Sequence, residues 1–219
     1  MLERWITALH LEDAATEDAL ATRERLKDHF PKNSTRRMTQ LGLCLGTTLA
    51  PLQLTESDTV VYASTYAETR TLEGYLDSFP NPSPTLFQTS IHPSAVQQNL
   101  ILRQHAVRQF FPVTGDHDLP ARALLVALLC DAPRVLLCGG EERGGWLLAK
   151  GRASDRTFAY ALALSTSSAG AIGRIALETA PPGDTPHPLP QAAFFDLLQA
   201  RRPFNSVVSE TRRLRIDWS

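Results

Sequence analysis

Cysteine is scarce. Cys44, Cys130 and Cys138 are the only three in 219 residues, each sits among apolar neighbours, and none belongs to a Cys-x-x-Cys pair. That excludes a disulfide framework and a thiolate metal site, and suits buried thiols in a reducing cytoplasm. A dominant charge is also lacking: Lys and Arg number 22, Asp and Glu 23, and the formal net charge is −1. A protein whose main task is coating nucleic acid or an anionic membrane is thereby excluded. Long apolar runs are missing too. The charge-free stretch Met38 to Thr55 is interrupted by Gln, Thr and Pro51, whereas a bilayer span needs ~20 mostly apolar residues. Leu2 to His10 carries Glu3 and Arg4 with no extended apolar core behind them, so no secretion signal is expected. No pattern repeats with a period of ~20 to 50 residues, which excludes a solenoid. His10, His29, His92, His105, His117 and His187 have no HExxH or Cys-x-x-Cys companion, so neither a metal nor another cofactor is expected.

What is present is the composition of a soluble globular chain, 43% hydrophobic and 21% charged, long enough to bury a core as one domain over 1–219. Arg4 to Leu11 has the character of an opening strand. Thr16 to His29 is charged, with only Leu20 and Leu26 as an apolar stripe, and reads as a surface helix or an excursion from the main fold. Ser34 or Thr35 is a candidate cap for a core helix bearing Met38, Leu41, Leu45 and Leu49, which Pro51 ends. Thr59 to Ala63 is β-branched and aromatic like a buried strand. A helix with Leu72, Tyr75, Leu76 and Phe79 follows. Pro80-Asn81-Pro82 forces a loop, and Ser83-Pro84 starts a short helix from which Phe87 and Ile91 pack. Ser94 can cap the next helix, with Val96, Leu100 and Ile101 inward.

Ala106 to Val113 reads as a strand, Thr114 to Asp118 as a turn, and Leu119 to Cys130 as a strongly apolar helix between Pro120 and Pro133. Arg134 to Gly139 is continuously apolar and reads as a central strand. Further strands are expected at Gly145 to Lys150, Thr157 to Ser165 and Gly173 to Thr179. The five prolines of 181–190 make a loop, and Gln191 to Ala200 is a last helix buried through Phe194, Leu197 and Leu198. Strands alternate with helices up to Gly139 and an antiparallel group follows, which makes the fold class α/β and layered.

The chemistry on offer is sparse. A strand, a tight turn and an apolar helix can present a nucleophile to the helix N-terminus, yet the turn offers Asp116, His117 and Asp118. Adjacent side chains diverge, so these three read first as capping and solvated residues. Gly139-Gly140 and Gly144-Gly145 bracket Glu141-Glu142-Arg143 as a hairpin would. Ser64 and Ser90, with His92 as a base, are the candidate serine nucleophiles, without a G-x-S-x-G elbow around either. The C-terminal Arg201, Arg202, Arg212, Arg213 and Arg215, beside Phe204 and Trp218, read equally as a grip for an acidic or phosphorylated partner and as a solvated chain end.

The residues also carry a family pattern. Val60-Val61-Tyr62-Ala63-Ser64 followed by Glu68, and then Ser83-Pro84-Thr85-Leu86-Phe87-Gln88-Thr89-Ser90-Ile91-His92, resemble the N-terminal half of β-ketoacyl synthases. They are most similar to the short synthase-like proteins of type II clusters that make aryl polyene pigments. The resemblance covers residues 34–165 best and implies a thiolase-like half with one mixed sheet. Two departures matter. The cysteine that takes the acyl chain in an active condensing enzyme has Asp116, His117 and Asp118 at the matching turn, and Pro93 follows His92 where the family has Asn. A second half with two catalytic histidines is also not expected.

The resemblance therefore implies a non-catalytic, chain-length-factor-like partner that dimerises with an active synthase. Dimerisation would run across the Ala106 to Val113 strand through Val107, Phe110 and Phe111, with Phe87 and Ile91 on the wall of the acyl pocket. The partners implied are the synthase subunit and an acyl carrier protein held by the C-terminal arginines; nucleic acid is not. A stand-alone enzyme using His117 or His92 as base, and a homodimeric carrier-protein scaffold, stay open as alternatives. The segment 16–29 has no place in the family pattern.

Overall fold

The computed structural model of the chain describes residues 2–181, 183, 185, 189–209 and 211–219. In chain order the elements are β1 (Leu2–Ala15), α1 (Ala19–Leu26), α2 (Gln40–Leu49), β2 (Thr59–Ala63), α3 (Thr69–Asp77), α4 (Pro84–Ser90), α5 (Ser94–Leu102), β3 (Gln109–Val113), α6 (Leu119–Leu129), β4 (Arg134–Glu141), β5 (Thr157–Ser165), β6 (Gly173–Thr179), α7 (Gln191–Gln199), β7 (Phe204–Ser209) and β8 (Arg212–Trp218). The strands form a single mixed sheet in the order β3-β2-β4-β5-β1-β6-β8-β7. β2 runs parallel to both β3 and β4, and every other pairing is antiparallel. The expected α/β class with a trailing antiparallel group is what forms.

Two cores flank the sheet. α6 and α7 pack on one face against Val61, Ala63, Val135, Leu137, Phe158, Tyr160 and Leu162. α1, α2 and α5 cover the other, against Val60, Tyr62, Leu136, Cys138, Ala159 and Ala161. β4 and β5 are buried on both faces along nearly their whole length, which is why their sequences run apolar without alternation. α2 is the central helix of its layer and is buried almost all round. Its Gly42 carbonyl accepts a 2.7 Å hydrogen bond from Asn99 Nδ2 of α5.

Several local expectations are corrected. α2 starts at Gln40, and its cap is Thr39, whose Oγ1 accepts from the Gly42 N–H at 2.9 Å; Ser34 instead donates back to the Pro31 carbonyl inside a separate 3₁₀ turn. Ile101 faces outward, 76% exposed, because α5 meets α2 through Val96 and Asn99. β3 begins only at Gln109. No strand forms over 145–150, since the Glu73 carboxylate takes the N–H groups of Gly145 and Leu147 at 2.7–2.9 Å before a 3₁₀ turn at Leu148–Lys150. Phe195 rather than Leu197 completes the buried side of α7. Cys44 and Cys138 are buried as expected, but Cys130 is only half-buried.

The C-terminal residues form β8 and β7 of the sheet rather than a solvated chain end. The glycine pairs do not bracket a hairpin either. β4 continues through Gly139-Gly140 to Glu141, and Glu141 and Glu142 are both buried. A Cβ on Gly139 would stand 2.5 Å from the Ala63 carbonyl oxygen and from Tyr160 Oη, so close strand approach accounts for that glycine. Of the proline-rich loop expected over 181–190, positions 182, 184 and 186–188 lie outside the described residues.

Candidate functional site

In an open α/β sheet the crevice lies beyond the carboxyl ends of parallel strands, where successive helices leave for opposite faces. Here that point is between the adjacent parallel strands β2 and β3: α5, on the connection that leaves β2, lies on one face, and α6, which follows β3, on the other. A cavity of about 220 Å³ opens there, lined among others by Thr65, Tyr66, Asp116, His117, Glu141 and Gln191.

Glu141, the last residue of β4, fills the floor. Its Oε2 accepts from Ser64 Oγ at 3.0 Å and from the Tyr66 N–H at 2.9 Å, and its Oε1 accepts from the Thr65 N–H at 2.6 Å. Ser64 Oγ in turn accepts from the Ala67 N–H at 2.8 Å. The loop after β2 therefore folds around a carboxylate supplied by the neighbouring strand, and its donors are already engaged. Glu142 does the same for two helices, taking the Gln40 N–H of α2 at 3.1 Å and the Arg70 N–H of α3 at 2.8 Å. Burial pushes both carboxyls up to about 7, against the opposing pull of these donors.

Beside them lies a second buried group. Glu68 Oε1 accepts from Ser94 Oγ at 2.9 Å and from the Ala95 N–H at the start of α5, while its Oε2 has no partner among the described residues. Burial again dominates and raises this carboxyl to about 7. The His92 ring stacks on Tyr62 with centroids 4.9 Å apart. Burial lowers its pKa, and among the described residues His92 Nε2 and Tyr62 Oη are both buried without a partner. Of the three buried carboxyls at this end of the sheet, Glu68 is the one with an oxygen free to carry a proton.

The residues singled out in the sequence are distributed as follows. Asp116, His117 and Asp118 form the exposed turn at the mouth of the cavity. Asp118 pairs with Arg122 at 2.6 Å and makes no side-chain cap, and His117 Nδ1 lies 3.6 Å from Asp116. Ser64 is committed to Glu141, and Ser90 Oγ donates to the Phe87 carbonyl, so neither serine is hydrogen-bonded to His92. The three thiols lie in α2, after α6 and inside β4, away from the turn. Among the described residues no cluster of His, Cys, Asp and Glu is arranged to hold a metal, and no helix is long and apolar enough to cross a membrane.

β3 is an edge strand. It pairs on one side only, with β2, where the Val113 carbonyl accepts from the Ser64 N–H at 3.3 Å, so by alternation Phe110 and Pro112 turn their backbone groups outward. Val107 and Phe110 pack half-buried onto the α2/α5 core, whereas Phe111 is exposed. Phe87 and Ile91 are exposed as well, and with Leu76 and Phe79 they leave an apolar surface on the α3–α4 pair, tied together by Tyr75 ring contacts to Phe79 and Phe87 at 5.5 and 5.3 Å. The C-terminal arginines do not converge. Arg213 pairs with Glu178 and Arg215 with Asp217, and Arg212 sits at the opposite end of β8 from Trp218, which donates to the Arg202 carbonyl.

What sequence reasoning missed are the buried carboxylates Glu73, Glu141 and Glu142. For Glu141 there was a signal: an acid that directly follows an apolar central strand at its carboxyl end points into the crevice region.

No family model matches the chain, and no curated protein matches it. Solved structures do. A chain of the complex between the ketosynthase ApeO and its chain length factor ApeC from Xenorhabdus doucetiae superposes with a TM-score of 0.64 at 18% identity, over 99% of this chain and 100% of that one. The ishigamide ketosynthase/chain length factor gives 0.60 at 13%, over 83% of this chain and 68% of that one. AntDE:AntF, a type II acyl-carrier protein in complex with its ketosynthase, gives 0.53 at 10%, over 83% and 71%. The chain therefore shares the fold of these chains, over 99% of its length in the first case.

Proposed function

We propose that the chain is a non-catalytic, chain-length-factor-like partner that dimerises with an active β-ketoacyl synthase in a type II system and shapes the pocket for the growing chain. The observation that carries this reading is the likeness over the full length of both chains to a chain of a ketosynthase–chain length factor complex. Two features of the site support it. The turn before α6 offers Asp116, His117 and Asp118 instead of a thiol, and neither a carboxylate nor an imidazole forms a thioester. β3 presents an open edge with Phe111 exposed, the form of surface that strand pairing across an interface uses. Phe87 and Ile91 on the apolar α3–α4 surface are the residues we assign to the acyl-pocket wall. The aryl polyene pathway, the cytoplasm and an acyl carrier protein as further partner belong to the same reading, and so does a single domain over the chain.

Co-expression with the candidate synthase followed by size-exclusion chromatography tests it. The expected result is one heterodimer peak, lost on Phe111→Asp, and synthase activity only in the paired sample. Two separate peaks with unchanged synthase activity would refute the reading. Turnover by the purified chain alone, abolished by His117→Ala, would replace it with the stand-alone enzyme.

A further inference from the structure

Charge is segregated in this near-neutral chain. Residues 23–37 hold six Lys and Arg against Glu24 and Asp28, a net +4, so with the chain at −1 the remaining residues carry −5. The structure turns this run into a groove of about 560 Å³ between α1 with its following turn and the segment Phe30 to Arg36. The Arg23 Nε–H donates to the Thr35 carbonyl at 3.2 Å and ties the two walls together. Arg25 points away and is neutralised by Glu12 and Glu17, and Lys27 pairs with Glu24. Among the described residues Lys32, Arg36 and Arg37 form no ion pair, and Arg37 lines a second groove of about 690 Å³ on the other side of the 34–37 turn.

α1 contributes little to the core, burying only Thr22 and Leu26. Its outward face carries Leu20, Arg23, Glu24 and Lys27 at helical spacing, with Leu20 70% exposed.

We propose that this groove docks an acidic amphipathic helix of a partner protein. The net positive lining attracts carboxylates, and Pro31 in the lining, with Leu20 exposed on α1 one turn before the lining residues Arg23 and Glu24, offers contact for an apolar stripe. Glu24 and Asp28 within the lining would repel a uniformly anionic ligand, which favours a protein helix of mixed but mainly acidic surface over nucleic acid or polyphosphate. The inference is independent of any dimer formed through β3.

The test uses the full chain and a fluorescently labelled helical peptide with a leucine stripe flanked by glutamates, alongside the same peptide with glutamines. Binding is read by anisotropy at low and at high salt. The wild type is expected to bind the glutamate peptide in a salt-sensitive manner and to bind the glutamine peptide at least about tenfold more weakly. The double variant K32E/R36E, at two positions without ion pairs, is expected to lose about tenfold or more in affinity with an unchanged circular dichroism spectrum and melting midpoint, while R201E/R202E binds as the wild type. Equal binding by K32E/R36E, equal binding of the glutamine peptide, no binding by the wild type, or displacement of the peptide by duplex DNA would each overturn the proposal.

Discussion

Glu68→Gln isolates the buried carboxyl with a free oxygen. Glu68 is 1% exposed, its carboxyl is raised from 4.5 to about 7 chiefly by burial, and Glu141 adds like-charge repulsion. The folded protein therefore holds a proton at pH values where the unfolded chain has lost it. With more protons bound in the native state, stability falls as pH rises: the contribution is complete below about pH 4.5, declines up to about pH 7 and is absent above. At about 1.4 kcal/mol per pH unit, the rise corresponds to about 3 kcal/mol for this one group. Glutamine keeps the acceptor that Ser94 Oγ and the Ala95 N–H use, and it cannot ionise. It also removes the repulsion that raises Glu142, whose carboxyl is pushed up by burial first and by Glu68 as well. Urea unfolding followed by tryptophan fluorescence at about pH 5 and about pH 8 reads the effect. The wild type is expected to lose stability across this range. E68Q should be clearly flatter and more stable than the wild type at the higher pH. Parallel pH profiles for the two proteins, or an E68Q that is the weaker at about pH 8, would refute the argument.

Other perturbations follow from the same geometry. Glu141→Ala leaves Ser64 Oγ and the Thr65 and Tyr66 N–H groups without their acceptor and should cost about 3 to 5 kcal/mol by urea unfolding, with partial recovery in formate or acetate. Gly139→Ala forces a methyl against the Ala63 carbonyl and Tyr160 Oη, and a loss of about 1 to 3 kcal/mol is expected from thermal unfolding. Titration with a thiol reagent in native buffer should modify Cys130 first, because Cys44 and Cys138 are buried and burial raises their pKa, that of Cys138 to about 12; both should react only after denaturation.

Much of the framework was legible because it rests on local pattern. The apolar run Val135 to Cys138, the β-branched Thr59 to Ala63 and the Ser83-Pro84 helix start each encode their element within a few residues. The failures share a cause. Gly145 to Lys150 has strand-like composition, but a carboxylate from α3 takes its backbone donors. The arginine-rich C-terminus looks solvated residue by residue, yet Leu214 and Ile216 alternate with those charges and β8 pairs along β6. Glu141 and Glu142 look like a polar turn because nothing nearby in sequence announces the donors from 40, 64–66 and 70 that surround them.

The sequence by itself determined the layered α/β class, the Ser83-Pro84 helix start, the shortage of usable thiols and the likeness to the synthase family, since periodicity, capping and motif spacing are local properties. Only the tertiary structure decided that β6, β8 and β7 extend the sheet, that four glutamates serve as internal acceptors, and that Arg23, Lys27, Lys32 and Arg36 line one groove. Those outcomes depend on groups far apart in sequence meeting in low dielectric, where a buried carboxyl is tolerated only when distant backbone donors meet it or a proton neutralises it.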